Sequence, residues 1–383
     1  MKNVLQVINL YQSAKVFIGG QFQYLNANGY KMHLMCSPHD ELPRFAKYQG
    51  ISYQPVEFDR QLNPVKDLRA FIQLCKYIRR NKIDIIIGHQ AKARLLTVLA
   101  GRLMGVPQII IYSHGALHEC ARGYKRKLII LESAFESMLA HKVVCVSDSV
   151  RAIRIREKID RPSKQFMLNK GTCCGVDSRR MFNPERVSVQ QQAALRTRLG
   201  IKENEYIVGF CGRLVKDKGI VELVEAFRKL QKAHPAKYIK LLIIGPAEKR
   251  DSISAETFHY LNTSDKVAFT GFVNHDEIPA YYSLMNVLLL PSYREGFPTV
   301  VLEAAAMEVP AIVSGATGCI DAVIPGKTGL RCEIEVESIK TAIEQLLDPA
   351  KAKTMGRAAR RYVSAHYDHS VVWPALLPIL QNQ

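Results

Sequence analysis

Two carboxylates stand eight positions apart in REGFPTVVLEAAAMEVPAIVSG, residues 294–315. Glu295 precedes a Gly-Phe-Pro turn, and Glu303 lies alone among Val300, Val301, Leu302, Ala304, Ala305 and Ala306. A carboxylate among aliphatic neighbours needs hydrogen-bond donors, and paired hydroxyls of a ligand would supply them. The alternative is a glutamate that points to water. Gly296 permits a sharp turn after Glu295, and Pro298 suits the first position of a helix. The N–H groups of Thr299, Val300 and Val301 would then face an anion unpaired. In GRLVKDKGIVELVEAF, Arg213 and Lys218 lie five apart around a turn into a helix, with Lys218 expected in its first turn. A cation there opposes the helix dipole, so its placement asks for an anion. A diphosphate bridging the Arg213 fork and the Lys218 point charge would answer both; two solvated surface cations are the alternative. His114 follows QIIIYS and precedes Gly115, where an imidazole can donate to a ligand hydroxyl or phosphate or bond to nearby backbone. His89 follows IDIII in the same manner. Gly19 and Gly20, in KVFIGGQFQYL, let backbone approach a ligand closely or make a plain tight turn; they are not a GxGxxG fingerprint.

All these groups follow β-branched runs. NVLQVINL, YKMHLMC, KIDIIIG, PQIIIYS and HKVVCVS alternate with helical stretches, and the pattern restarts with YIVGFCG, YIKLLIIG, DKVAFTG, NVLLLP and VPAIVSG. Continuous apolar strands separated by helices read as parallel sheets covered on both faces. The predicted fold is α/β, with two Rossmann-like, doubly wound domains facing each other across a cleft. Residues 175–192 lose the alternation and read as a linker. The expected domains are 1–180 with 366–383, and 181–365. The amphipathic tail HSVVWPALLPILQ, which carries the only tryptophan, Trp373, should pack away from the second sheet.

A chain of 383 residues with 48% hydrophobic composition can bury two cores. Nine scattered cysteines without CxxC spacing argue against a disulfide framework and a zinc site, and fit a reducing cytosol. The opening MKNVLQVINLYQSAK lacks the features of a signal peptide, and no apolar run approaches a membrane span, so a cytoplasmic chain is expected. Residues 1–180 hold 29 Lys+Arg against 13 Asp+Glu, a net +16, while residues 181–383 hold 24 against 22, a net +2. Such asymmetry suggests an anionic partner for the first half or a merely soluble basic surface.

EGFPTVVLE resembles the E-x7-E signature of the family-four retaining glycosyltransferases of GT-B fold, and GRLVKDKG is similar to their diphosphate-binding Arg/Lys pair. The glycine pair, SHG at 113–115, GVD….F.P at 175–184, GF at 271–272 and PGKTG at 325–329 extend the resemblance over most of the chain. It implies that Arg213 and Lys218 neutralise the diphosphate of a nucleotide sugar as its glycosidic bond breaks. Glu303 would take both ribose hydroxyls and Glu295 hydroxyls of the sugar. Backbone from Gly296 through Phe297, Thr299, Val300 and Val301 would touch sugar and phosphate, and Phe272 and Val273 the base. His114 would contact the sugar from the other domain, and Gly19 and Gly20 would lie beside phosphates and acceptor.

By that resemblance the catalytic group is Glu295, His114, Arg213 and Lys218, with no cofactor, a UDP-sugar donor favoured by family frequency, and no resident metal. No D-x-D triplet is present to hold a divalent ion on a diphosphate. PGKTG is not a P-loop, because Asp321 stands where the first glycine is required. Cys173 and Cys174 depart from the Asn or Pro common there and read as packing residues. The implied acceptor is a glycan, polyprenyl-diphosphate-linked, in capsule, O-antigen or exopolysaccharide synthesis. Basic stretches with apolar helical spacing add an anionic membrane surface as a partner, at the inner face of the plasma membrane. A nucleotide-sugar epimerase of related fold is an alternative. A basic nucleic-acid-binding protein is another, but nucleic acid would leave E-x7-E and the Arg/Lys pair without purpose.

Overall fold

The computed structural model describes residues 1–58, 63–248 and 251–381. It divides into two compact units, residues 1–174 with 372–383, and residues 175–371. The boundaries therefore fall at 174/175 and 371/372 rather than at 180/181 and 365/366. The segment from 175 to 192 is no free linker but part of the second unit. Ser178 donates from its N–H (3.2 Å) and its Oγ (2.7 Å) to Asp368, Val176 bridges to Asp368, and Phe182 is buried. A helix with a Ser188/Gln191 capping box follows at Val189–Arg198.

The first unit holds a seven-stranded parallel sheet: β1 (Lys2–Val7), β2 (Tyr30–Cys36), β3 (Ser52–Pro55), β4 (Ile85–Gly88), β5 (Gln108–Ser113), β6 (Lys142–Cys145) and β7 (Gln165–Phe166). The spatial order is β3-β2-β1-β4-β5-β6-β7. The second unit holds six parallel strands: β8 (Tyr206–Cys211), β9 (Ile239–Ile244), β10 (Val267–Phe269), β11 (Val287–Leu290), β12 (Ala311–Ser314) and β13 (Gly329–Cys332). Their order is β10-β9-β8-β11-β12-β13, so the first six strands of each unit are arranged alike. Helices cross over between strands, as parallel pairing requires. In both sheets the chain reverses direction across the sheet beside its first strand, between β1 and β4 and between β8 and β11. Loops part there on the carboxyl side, which is where open α/β sheets bind ligands.

The central strands are buried throughout, which is why their sequences are continuous apolar runs. The three strands the runs missed, β3, β7 and β13, all lie at sheet edges, where exposure removes the need for such a run. The tail 372–381 packs on the first unit. Trp373 Nε1 donates to the Cys174 carbonyl at 2.9 Å, and Gln108 and Lys142 donate to the Ile379 carbonyl at 2.7 and 2.6 Å. Among the described residues no helix is long and apolar enough to cross a membrane.

Candidate active site

The loops leaving β8 and β11 at the second unit's reversal point are fastened to each other. Tyr293 N–H donates to the Asp217 carbonyl at 2.8 Å, and Arg294 pairs with the Asp217 carboxylate at 3.0 Å. Lys218 Nζ lies 2.5 Å from Glu295 Oε1, which also accepts from Ser292 Oγ at 3.0 Å. The sequence treats Lys218 as a cation seeking an anion, and Glu295 supplies one. Lys218 is not inside the following helix. It closes a short 3-10 turn, Lys216–Lys218, and Gly219 then takes a left-handed φ of 68° before the helix Ile220–Ala233 begins. A Cβ on Gly219 would lie 2.2 Å from the Pro291 carbonyl oxygen, so this glycine lets the two loops meet. Arg213 is half exposed and pairs with Glu248 at 3.0 Å rather than joining Lys218.

Glu303 does not point to water. It is 6% exposed on the helix Thr299–Ala306, where Oε1 lies 3.0 Å from His275 Nε2 and Oε2 accepts from the Tyr282 hydroxyl at 3.0 Å. Protein groups thus supply donors that the sequence sought in a ligand, although an ionised carboxylate keeps further lone pairs for hydroxyls. Burial, with the neighbouring Cys211 and Glu303, holds the Tyr282 hydroxyl far above its ordinary pKa, so it stays a donor. Burial beside Glu303 likewise pushes the Cys211 thiol up to about 12. His275, Tyr282 and Ser292 were not singled out from the sequence.

Of the helix-start amides, Val301 N–H is taken by the Pro298 carbonyl at 3.1 Å. Gly296 lies in the turn before the helix, and the partly buried Thr299 and Val300 are its first two residues. The Phe297 ring is a packing group, buried with its centroid 5.3 Å from that of Tyr367. Phe272 projects into solvent, 73% exposed, beside Val273 on the wall of an open cavity of about 400 Å³ shared with Arg198, Asn274, Glu277 and Tyr281. A larger cavity of about 590 Å³, lined by Met181, Arg186, Leu195 and Pro279 among others, holds none of the predicted residues.

In the first unit, Gly19 and Gly20 do not follow β1 directly, because YQSAKVF forms the helix Tyr11–Phe17. Gly19 ends that helix at φ 44°, with its N–H bonded to the Ala14 carbonyl at 3.0 Å. Gly20 is small because Trp373 needs the space: a Cβ there would lie 2.9 Å from the indole. Gln21 N–H returns to the Ile18 carbonyl, so the helix Gln21–Ala27 does not open on a free row of donors. His114 and His89 are brought together at the ends of β5 and β4. His114 Nε2 lies 3.0 Å from His89 Nδ1, and His89 Nε2 lies 2.7 Å from Gln6 Oε1 on β1. The amide oxygen accepts, so His89 carries its proton on Nε2 and accepts from His114 through Nδ1. Both rings stack with Tyr112. Burial, reinforced by nearby Arg94, depresses His114 to about 3, and burial with the His114 and Arg94 charges carries His89 well below the usual range. Gln6 had no sequence signal beyond a polar residue inside an apolar strand.

Family models match on both units: "Glycosyl transferases group 1" over residues 191–362 and "Glycosyltransferase Family 4" over residues 17–162. The chain belongs to the group 1, family-four glycosyltransferases. It is 26% identical over 359 residues to the Staphylococcus aureus capsular polysaccharide biosynthesis glycosyltransferase CapM, covering 93% of this chain and 91% of that one. It is 24% identical to an Escherichia coli UDP-Gal:alpha-D-GlcNAc-diphosphoundecaprenol alpha-1,3-galactosyltransferase, covering 90% and 87%. The crystal structure of Anabaena HepE with UDP and glucose superimposes with a TM-score of 0.81 at 17% identity, covering 99% of each chain. The fold is therefore GT-B, and this glycosyltransferase carries E-x7-E and Lys218 at the second unit's reversal point.

Proposed function

We propose that this glycosyltransferase moves a sugar, with retention and without a resident metal, from a UDP-sugar to a hydroxyl of a polyprenyl-diphosphate-linked glycan in surface-polysaccharide assembly. The observation that carries the reading is the Lys218–Glu295 contact across the loops after β8 and β11. A diphosphate entering there would take over Lys218, and the released Glu295 carboxylate would be free to accept from sugar hydroxyls. Donor binding and sugar recognition are thereby coupled through one ion pair. Arg213, half exposed, can turn from Glu248 to a phosphate. Glu303 accepts ribose hydroxyls with Tyr282 and His275 holding its orientation, and Phe272 and Val273 flank the base. His114, held neutral, meets the sugar as a hydrogen-bonding group rather than as a cation. The motifs supply no obvious nucleophile, which favours same-face attack with the departing phosphate taking the acceptor proton. The UDP in the HepE structure and the diphosphoundecaprenol in the Escherichia coli relative's name support the donor and acceptor classes.

An anionic membrane surface completes the set of partners. On the helix Gly123–Leu139, Tyr124, Leu128, Leu131, Phe135 and Met138 are exposed at spacings of four and three, one continuous face, with exposed Arg122, Lys125 and Lys127 at one end. Such a face suits apolar insertion with lipid phosphates held by the cations. Co-sedimentation with anionic vesicles should be salt-sensitive and lost in Leu131→Glu; equal binding to neutral vesicles would remove this part of the reading. For the donor, nucleotide sugars should be screened by thermal shift. A ligand at 100 times its Kd adds about 2.7 kcal/mol to stability. Absence of stabilisation by any nucleotide or nucleotide sugar would overturn the assignment.

A further inference from the structure

Three metal-ligating side chains converge in the first unit. His89 and His114 leave the ends of β4 and β5, and Cys173 comes from the loop after β7. Their ring nitrogens and sulfur all lie within 4.8 Å of one another. The two nitrogens, His89 Nδ1 and His114 Nε2, are 3.0 Å apart. Zinc bonds of about 2.0–2.1 Å to nitrogen and about 2.3 Å to sulfur place tetrahedral ligand atoms roughly 3.3–3.6 Å apart, so the set needs an adjustment of no more than about 1.5 Å.

A second observation points the same way. His89 Nε2 donates to Gln6 Oε1 at 2.7 Å, which fixes the tautomer whose Nδ1 lone pair faces His114 Nε2. Metal-ligating histidines are oriented by an outer hydrogen bond of this kind. His89 and Cys173 are buried, whereas His114 is partly exposed.

We infer that His89, His114 and Cys173, with Gln6 behind His89, form a binding site for a thiophilic divalent ion of the zinc class, and that the ion switches sugar transfer off by occupying His114. On binding, the Cys173 thiol gives up its proton to solvent, the sulfur bonds to the metal as thiolate, and the proton between the two rings moves to His114 Nδ1. No oxidation state changes. The inhibitory half rests on the proposed role of His114; the binding half does not.

The test uses the full-length, metal-free protein and Zn²⁺ alone, titrated against a chromophoric chelator, with Co²⁺ as a spectroscopic substitute. One equivalent should bind, and Co²⁺ should give a thiolate-to-cobalt charge-transfer band that Cys173→Ser abolishes. Gln6→Leu should weaken Zn²⁺ binding roughly 10- to 100-fold. Cys120→Ser, at an exposed cysteine, should change neither readout. Failure to bind an equivalent, undiminished binding by a folded Cys173→Ser variant, or loss of the band in Cys120→Ser would overturn the site. His89→Gln provides an independent variant, and it too should lose the equivalent. Stoichiometric binding with an unchanged transfer rate would overturn the inhibitory half.

Discussion

The two units share a strand order but prepare their reversal points by opposite means. In the first unit the groups are uncharged: Gln6, His89 and His114 form a hydrogen-bonded row, and burial keeps the imidazoles neutral. In the second unit the groups are ionic, and Lys218 with Glu295, Arg294 with Asp217 and Arg213 with Glu248 neutralise one another. Yet net charge runs the other way. Drawn at the observed boundaries, the first unit holds 27 Lys+Arg against 12 Asp+Glu and the second 26 against 23. Overall charge and site charge are therefore separate properties: the first governs attraction to distant anions, the second what happens at contact.

The largest test of this contrast is Lys218→Ala. If Lys218 stabilises leaving-group charge as proposed, its removal should lower kcat/KM for sugar transfer by roughly 10²- to 10³-fold. A loss below tenfold would end the claim that the second unit works through charge. His114→Gln should cost less, roughly 5- to 150-fold, as for a neutral hydrogen bond worth about 1–3 kcal/mol when one partner is left unsatisfied. A loss equal to that of Lys218→Ala would erase the distinction between the units. Glu303→Gln keeps the side chain's size, and donor KM should rise at least about tenfold with kcat little changed, as for one charged hydrogen bond of about 1.5 kcal/mol. An unchanged donor KM in a folded variant would sink the ribose assignment.

The smallest effect per group is acid sensitivity of the first unit. His89, His114 and His33, the last lowered to about 4 by burial and Lys31, bind protons less readily folded than unfolded. The unfolded chain then holds more protons, so stability rises with pH and is lost as pH falls below the unfolded value near 6.5. Between pH 7 and 6 each such imidazole should cost roughly 0.7 kcal/mol. Denaturant titrations across that interval check it, and a first-unit transition insensitive to pH would contradict the neutral-histidine description.

What could be read from the sequence follows from which constraints are local. The run YKMHLMC coincides with β2 because a strand buried on both faces must be apolar throughout. SYQP in β3 carries no such mark, since its residues are mostly exposed. E-x7-E located two carboxylates correctly on a turn and a helix, but their partners were hidden. Tyr282 and His275 reach Glu303 from 21 and 28 residues away, and Lys218 reaches Glu295 from 77. The sequence places Lys218 in the helix's first turn, whereas the left-handed backbone of Gly219 delays the helix to Ile220. The boundary at 174/175 was invisible for a similar reason: Ser178 is anchored by Asp368, 190 residues later.

The return of residues 372–381 to the first unit sets the order in which a newly made chain can mature. The second unit is one uninterrupted stretch of sequence, so everything it packs against itself has been synthesised by Val371. The first unit begins earlier and finishes later. Until the ribosome has added residues 372–381, the niche at Gly20 and Tyr24 has no indole, and Gln108 and Lys142 lack the Ile379 carbonyl. The half of the enzyme translated first is thus the half completed last, and a stalled or prematurely terminated chain presents an unfinished first unit beside a second unit whose residues are all in place.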